Sequence, residues 1–153
     1  MCGITGIIHL DNSPISSVVL KDMTDALIHR GPDDDALWIE GNVGMGHRRL
    51  SIIDLSPAGR QPMVSYNKRF VLSFNGEIYN FQELRVTLEN TGHRFRTHSD
   101  TEVLLTAYQH WGDSCVTHFN GDFAFAIWDK KRKQLFCARD RIGIKPFYYF
   151  KTS

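Results

Sequence analysis

The sequence predicts an α+β protein with largely antiparallel sheets. Three observations carry this: short β-rich runs recur along the chain, three segments show helical apolar spacing, and the two kinds do not follow one another in strict β-α-β order. At 153 residues and 42% hydrophobic, the chain has the size of one ordinary domain and can bury most of the surface it exposes when unfolded. Residues 1–153 are therefore read as one domain, without internal repeat, low-complexity tract or linker.

Ile4 to Leu10 is an apolar run closed by Asp11-Asn12-Ser13-Pro14, which predicts a strand and a turn. Between Ser16 and Ile28, Val19, Met23, Ala26 and Leu27 recur at helical spacing, and the helix is expected to stop before Gly31-Pro32. Ala36 to Glu40 and Val43 to Arg48 are extended runs around Gly41-Asn42, a hairpin signal. Ser51 to Pro62 reads as loop. Arg69 to Phe74 reads as a strand, with a sharp turn expected at Asn75-Gly76. Tyr79 to Glu89 follows as a helix with Phe81, Leu84 and Leu88 on one face.

Ser99-Asp100-Thr101-Glu102 fits a capping box, with Ser99 as N-cap, ahead of an apolar face at Val103, Leu104, Ala107, Tyr108 and Trp111. Asp100 then lies at a helix N-terminus. Phe123 to Asp129 and Gln134 to Arg139 are strands joined by a turn at Lys130 to Lys133, and Phe147 to Phe150 is expected as a further strand.

Composition excludes several functions. Eighteen basic and seventeen acidic residues give a net charge of +1, so no bulk field points to nucleic acid or to an anionic membrane as partner. The N-terminus lacks the basic segment and long apolar run of a secretory signal, and no stretch reaches the roughly 20 apolar residues of a spanning helix. A cytoplasmic location is expected. Cys2, Cys115 and Cys137 are an odd number without Cys-x-x-Cys spacing, which fits a reducing compartment, and Cys115 and Cys137 are expected to be buried thiols. The seven histidines show no metal-ligand spacing, so no metal is expected.

Cysteine at position two permits a particular chemistry. Removal of Met1 would leave one residue carrying both a thiol, ordinarily titrating near about 8.5, and an α-amine near about 7.7 to 8.0, a nucleophile with its own base. On position alone, a small buried apolar residue at a strand start accounts for Cys2 better than a nucleophile does.

Six strings reverse that balance: CGITG at 2–6, HRGPDDD at 29–35, HRRLSIIDLSPAGRQPM at 47–63, FNGEIYN at 74–80, SDTEVLL at 99–105 and ARDRIGIKPFYY at 138–149. Together they span nearly the whole chain, which resembles the class II, N-terminal-nucleophile glutamine amidotransferase domain of asparagine synthetases. The resemblance implies a four-layer αββα sandwich of the Ntn-hydrolase type, with the cysteine at the edge of one sheet. It implies that Cys2 is the nucleophile and that Asn75 and Gly76 stabilise the oxyanion. It implies that Arg49 forks onto the substrate α-carboxylate, a contact lysine reproduces less well, and that Asp100 pairs with the α-ammonium. Leu50, Ser51, Ile52, Ile53 and Glu77 would line the glutamine pocket, with Arg30 and Gly31 behind the nucleophile. Arg48, beside Arg49, is the rival for the carboxylate, and Asp100 is also an ordinary helix-N-terminal acid.

The implied reaction hydrolyses L-glutamine to L-glutamate and ammonia through a Cys2 thioester and needs no cofactor. No Ser-Gly-Gly-x-Asp-Ser loop occurs, so ATP and Mg are expected only with a synthetase domain or subunit that this chain does not contain and that would receive the ammonia. Two alternatives stand beside this reading. One is a non-catalytic module of the same fold that keeps Met1 and binds glutamine or a partner; the other is the amidotransferase domain of a different biosynthetic synthetase, since the acceptor is aspartate or another carboxylate.

Overall fold

The computed structural model describes residues 1–51 and 59–152. Ile52 and Ile53, two of the expected pocket residues, lie outside them. β1 (Gly3–Ile8) leads to α1 (Ser17–Asp25), then to the hairpin of β2 (Asp34–Glu40) and β3 (Val43–Arg49), which turns at Gly41-Asn42. The order β1-β3-β2 makes a three-stranded antiparallel sheet. The second sheet takes β4 (Met63–Val64), β5 (Phe70–Ile78), β6 (Gly121–Asp129) and β7 (Gln134–Arg139) in that spatial order, again antiparallel. α2 (Phe81–Asn90) and α3 (Asp100–Trp111) connect β5 to β6 and pack on the outer face of that sheet. The layers are therefore α1, sheet, sheet, α2 with α3, the αββα sandwich that the resemblance implies.

Each helix face follows from what lies beneath it. α2 buries Leu84 and Leu88 as its spacing predicts. α3 is capped by the Ser99 hydroxyl, which accepts the Glu102 N–H at 3.3 Å. The reciprocal half of the capping box is absent, because the Glu102 carboxylate instead takes the Arg96 and Thr97 N–H groups. In α1 the expected face is rotated. Val19 and Met23 are 49% and 39% exposed, and Leu20 and Thr24 are the buried pair. The reason lies in β3, which turns Gly44 and Gly46 toward the helix. A Cβ at either glycine would collide with Leu20 or Thr24, so the helix seats its branched side chains where the strand has none.

β5 shows a second departure. Asn75-Gly76 is not a turn: both pair in register with Ala124 and Phe123 of β6, and the strand continues to Ile78. Gly76 is needed for close approach, since a Cβ there would strike the Asp122 carbonyl and the Phe123 Cα, and its φ of +154° suits glycine.

Phe147 to Phe150 is not a strand either. Beyond β7 the Asp140 carboxylate accepts the Ile144 and Lys145 N–H groups, and Arg139 donates to the carbonyls of Gly143 and Lys145, so the chain curls away from the sheet edge. Tyr148, Tyr149 and Phe150 are each 89% exposed. Cys115 is buried as expected, but Cys137 is exposed. It pairs with Ala126 on the edge strand of the larger sheet, where the smaller sheet does not cover it. No helix among the described residues is long and apolar enough to cross a membrane.

Candidate active site

At one end of the sandwich the two sheets open onto a cavity of about 110 Å³. Strand alternation decides which side chains reach it. On β3, Val43, Met45, His47 and Arg49 face the second sheet, while Gly44, Gly46 and Arg48 face α1. Arg48 is spent on that side: its guanidinium donates to the Thr24 carbonyl at 3.3 Å and pairs with Asp25 and Asp35. Arg49, the last residue of the strand, lines the cavity. The two arginines that adjacency left as rivals are thus separated by the pleat.

Cys2 precedes β1 and is half-buried in the cavity wall. The Leu50 N–H lies 3.4 Å from its Sγ, and Sγ lies 3.7 Å from the Leu50 carbonyl. Burial pushes the thiol above its ordinary value; the Leu50 N–H and the positive charges of the chain terminus and Arg49 work against that rise. Behind it, Arg30 donates from Nε to the Cys2 carbonyl at 3.1 Å, and its Nη2 is buried without a partner among the described residues. Gly31 lets that segment lie against the backbone of Arg48 and Arg49. Arg30 and Gly31 therefore lie behind Cys2 and do not line the cavity.

Across from Cys2, β5 contributes Asn75, Gly76 and Glu77, and the start of α3 contributes Asp100. Asn75 is 3% exposed and Asp100 is 5% exposed. Asp100 accepts the Ile78 N–H at 3.0 Å, which ties the helix start to the strand. Burial raises its carboxyl to about 6, against the stabilising N–H groups of Ile78 and Thr101, with the Glu77 charge adding to the rise. Leu50 and Ser51 complete the wall, and the Ser51 N–H is held by Asp33 at 2.8 Å.

Every expected pocket residue within the described chain thus meets at one place. Sequence reasoning passed over others there: Gln61, Ser99, Thr101 and Lys145 also line the cavity. Gln61 and Lys145 fall inside two of the six strings, so position in a motif was the available signal. Met1 occupies the mouth, its sulfur 3.6 Å from the Lys145 Nζ. Chemically, the cavity presents a thiol, a guanidinium, a carboxylate and amide N–H donors to a molecule small enough to touch all four, the complement of an α-amino acid with a side-chain carbonyl.

Comparison with known proteins gives the same direction. Residues 1–153 match the family described as glutamine amidotransferase domain. Asparagine synthetase (glutamine-hydrolyzing) 3 of Bacillus subtilis (strain 168) is 49% identical over 99% of this chain and 25% of its own length. The amidase chry2 of Gibberella zeae is 40% identical over 97% of this chain and 24% of its own. Among solved structures, the allosteric regulatory enzyme of purine biosynthesis superposes with a TM-score of 0.57 at 28% identity, over 71% of this chain and 25% of that one. The chain spans about a quarter of the length of the curated relatives it matches.

Proposed function

The chain belongs to the family of glutamine amidotransferase domains, and within it we propose that it hydrolyses L-glutamine to L-glutamate and ammonia through a thioester on Cys2. The observation that carries the reading is the convergence of Cys2, Arg49, Asn75, Gly76 and Asp100, drawn from four separate stretches of the sequence, on one cavity. Arg49 takes the α-carboxylate by a forked contact and Asp100 takes the α-ammonium, which fixes the δ-carbonyl against the Cys2 sulfur.

Removal of Met1 exposes the Cys2 α-amine. The amine accepts the thiol proton as sulfur attacks the δ-carbon, and the oxyanion is met by the Asn75 side-chain amide and the Gly76 N–H. Collapse of the tetrahedral intermediate breaks the C–N bond, and the proton held by the amine leaves with ammonia. Water then adds to the thioester with the amine again as base, releasing glutamate and the free thiol. No cofactor enters these steps.

The ammonia is destined for an asparagine-synthetase-type amidation. The relative from Bacillus subtilis is named a glutamine-hydrolyzing asparagine synthetase and is about four times as long, which supports a reading in which a synthetase domain or subunit holds ATP, Mg and the acceptor. The exposed Ile142, Tyr148, Tyr149 and Phe150 offer an apolar surface of the kind that a partner covers. The acceptor is aspartate or another carboxylate.

A second reading turns on the fate of Met1. With Met1 in place the Cys2 nitrogen is an amide and cannot serve as base, so a protein that keeps Met1 is a glutamine-binding or docking module. Ammonia and glutamate release by protein whose N-terminal Cys2 is verified by mass analysis tests the enzyme, with Cys2→Ala as control. Turnover that falls at least about 1,000-fold in the control is the expected result. Correctly processed protein without turnover would favour the module.

A further inference from the structure

Building on the glutaminase reading, we propose that His47 and Gln61 are positioning residues for the oxyanion site, which they set by gripping the N–H and the carbonyl of Phe74 on one edge of β5. β4 is two residues long and pairs only with Val71 and Leu72, so at Phe74 β5 has β6 on one side and, among the described residues, no strand on the other. The polar groups of Phe74 on that edge are taken by side chains instead. Its N–H donates to the Gln61 Oε1 at 2.7 Å, and its carbonyl accepts from the His47 Nε2 at 3.0 Å. Gln61 is 6% exposed and His47 is 1% exposed.

The alternation of an antiparallel ladder gives the grip its meaning. Peptide groups of every second residue leave the strand on the same edge. Phe74 and Ile78 both do so, the first onto Gln61 and His47 and the second onto Asp100 at 3.0 Å. Gly76 lies midway between them and lines the cavity, and the same alternation assigns its N–H to that edge. The carbonyl that His47 holds shares a peptide plane with the Asn75 nitrogen, so the orientation of Asn75 is fixed with it. An oxyanion site accelerates a reaction only when its donors are in place before charge develops. Two anchored residues around one glycine supply that rigidity on the edge of β5 that β4 no longer covers.

Gln61 extends the grip to the substrate's other end, since its Nε2 lies 3.5 Å from the Thr101 hydroxyl, next to Asp100 on α3. His47 has Nδ1 buried with no partner among the described residues, an arrangement that costs stability. Packing alone therefore does not account for an imidazole at this position, and the bond to Phe74 does.

The test uses the full chain with a processed Cys2. His47→Leu and Gln61→Met are expected to lower kcat for glutamine about 10- to 100-fold, since a misplacement of about 1 Å at a reacting centre can cost about 100-fold, with KM changed less than about threefold. Both should weaken an aldehyde analogue of glutamine, which forms a tetrahedral adduct with the thiol, by the same factor as kcat, and leave glutamate binding unchanged. His47→Gln, which keeps an N–H donor, should recover most of the rate. Should His47→Leu fail to fold, Gln61→Met and His47→Gln carry the comparison. Folded variants with wild-type kcat, or with a loss confined to KM, would overturn the positioning role. An inactive wild type would instead remove the glutaminase reading on which it rests.

Discussion

Phe74 and Asn75 are neighbours in β5, yet they face two different interiors. Phe74 points beneath α2 and α3 into a layer of aromatic and aliphatic side chains, with seventeen buried apolar residues among those described. Asn75 points between the sheets, where the buried apolar cluster has four members and the rest of the space is shared by His47, Ser73 and Arg49. Polar contacts hold that second interior together: the Ser73 hydroxyl donates to the Gly46 carbonyl at 3.2 Å and His47 reaches Phe74 at 3.0 Å. One face of the larger sheet concentrates the hydrophobic stabilisation, which lets the other tolerate partnerless buried atoms such as the His47 Nδ1.

The largest effects should separate along that line. Phe125→Ala removes a fully buried ring that touches Phe119, Phe123 and Phe136, and should lower stability by about 3–5 kcal/mol in denaturant unfolding. Asn75→Ala, on the opposite face, should change unfolding by less than about 1 kcal/mol and lower kcat for glutamine about 100- to 1,000-fold. If Asn75→Ala unfolds the protein as readily as Phe125→Ala, the two interiors do not divide the labour this way.

The two arginines sharpen the comparison on a smaller scale. Arg48 holds α1 to the sheet through Asp25 and Asp35, whose side chains are 43% and 35% exposed, so Arg48→Met should cost only about 1–2 kcal/mol of stability and leave KM for glutamine near wild type. Arg49→Lys should raise KM about tenfold, because an ammonium gives up the forked contact, with little change in the unfolding midpoint. Steady-state kinetics and thermal melts on the same preparations read both.

That pair also marks how far the sequence could be read. Helix and strand positions were legible because their apolar spacing is local, and α2 and β6 fall close to where periodicity puts them. The α1 face was not, because it depends on Gly44 and Gly46 in a strand twenty residues away. Asn75-Gly76 carries a turn signature, but its glycine answers to the backbone of β6, a contact that no local pattern encodes. Phe147 to Phe150 has the composition of a strand, but the Arg139 and Asp140 contacts turn the chain away from the β7 edge before it.

For the site, Cys2, Arg49, Asn75 and Asp100 were legible only through resemblance, since nothing in their spacing brings them together. Alternation along Val43 to Arg49 would have told Arg48 from Arg49 without a structure, because Val43 and Met45 mark the inner face. His47 and Gln61 left no such trace. They bond to backbone, and backbone partners have no sequence signature.

The smallest predicted effect is one of pH, and it tests whether the polar interior is built around a substrate cation. Asp100 is raised to about 6 by burial, so in the empty protein its carboxylate is present only above that value. The ordinary carboxyl value is 3.8, so the folded protein holds its proton more tightly than the unfolded chain does. The stability contributed by the neutral carboxyl is complete below about 3.8 and is lost as pH rises through about 6. A glutamine ammonium needs the charged form and should restore what is lost. Glutamine or glutamate should therefore raise the melting temperature more at pH 7.5 than at pH 5, and its dissociation constant should weaken about tenfold for each pH unit below 6. Asp100→Asn should abolish that dependence and bind weakly at every pH. A ligand affinity that stays flat between pH 5 and 7.5 in the wild type would mean that the carboxylate is not the ammonium's partner.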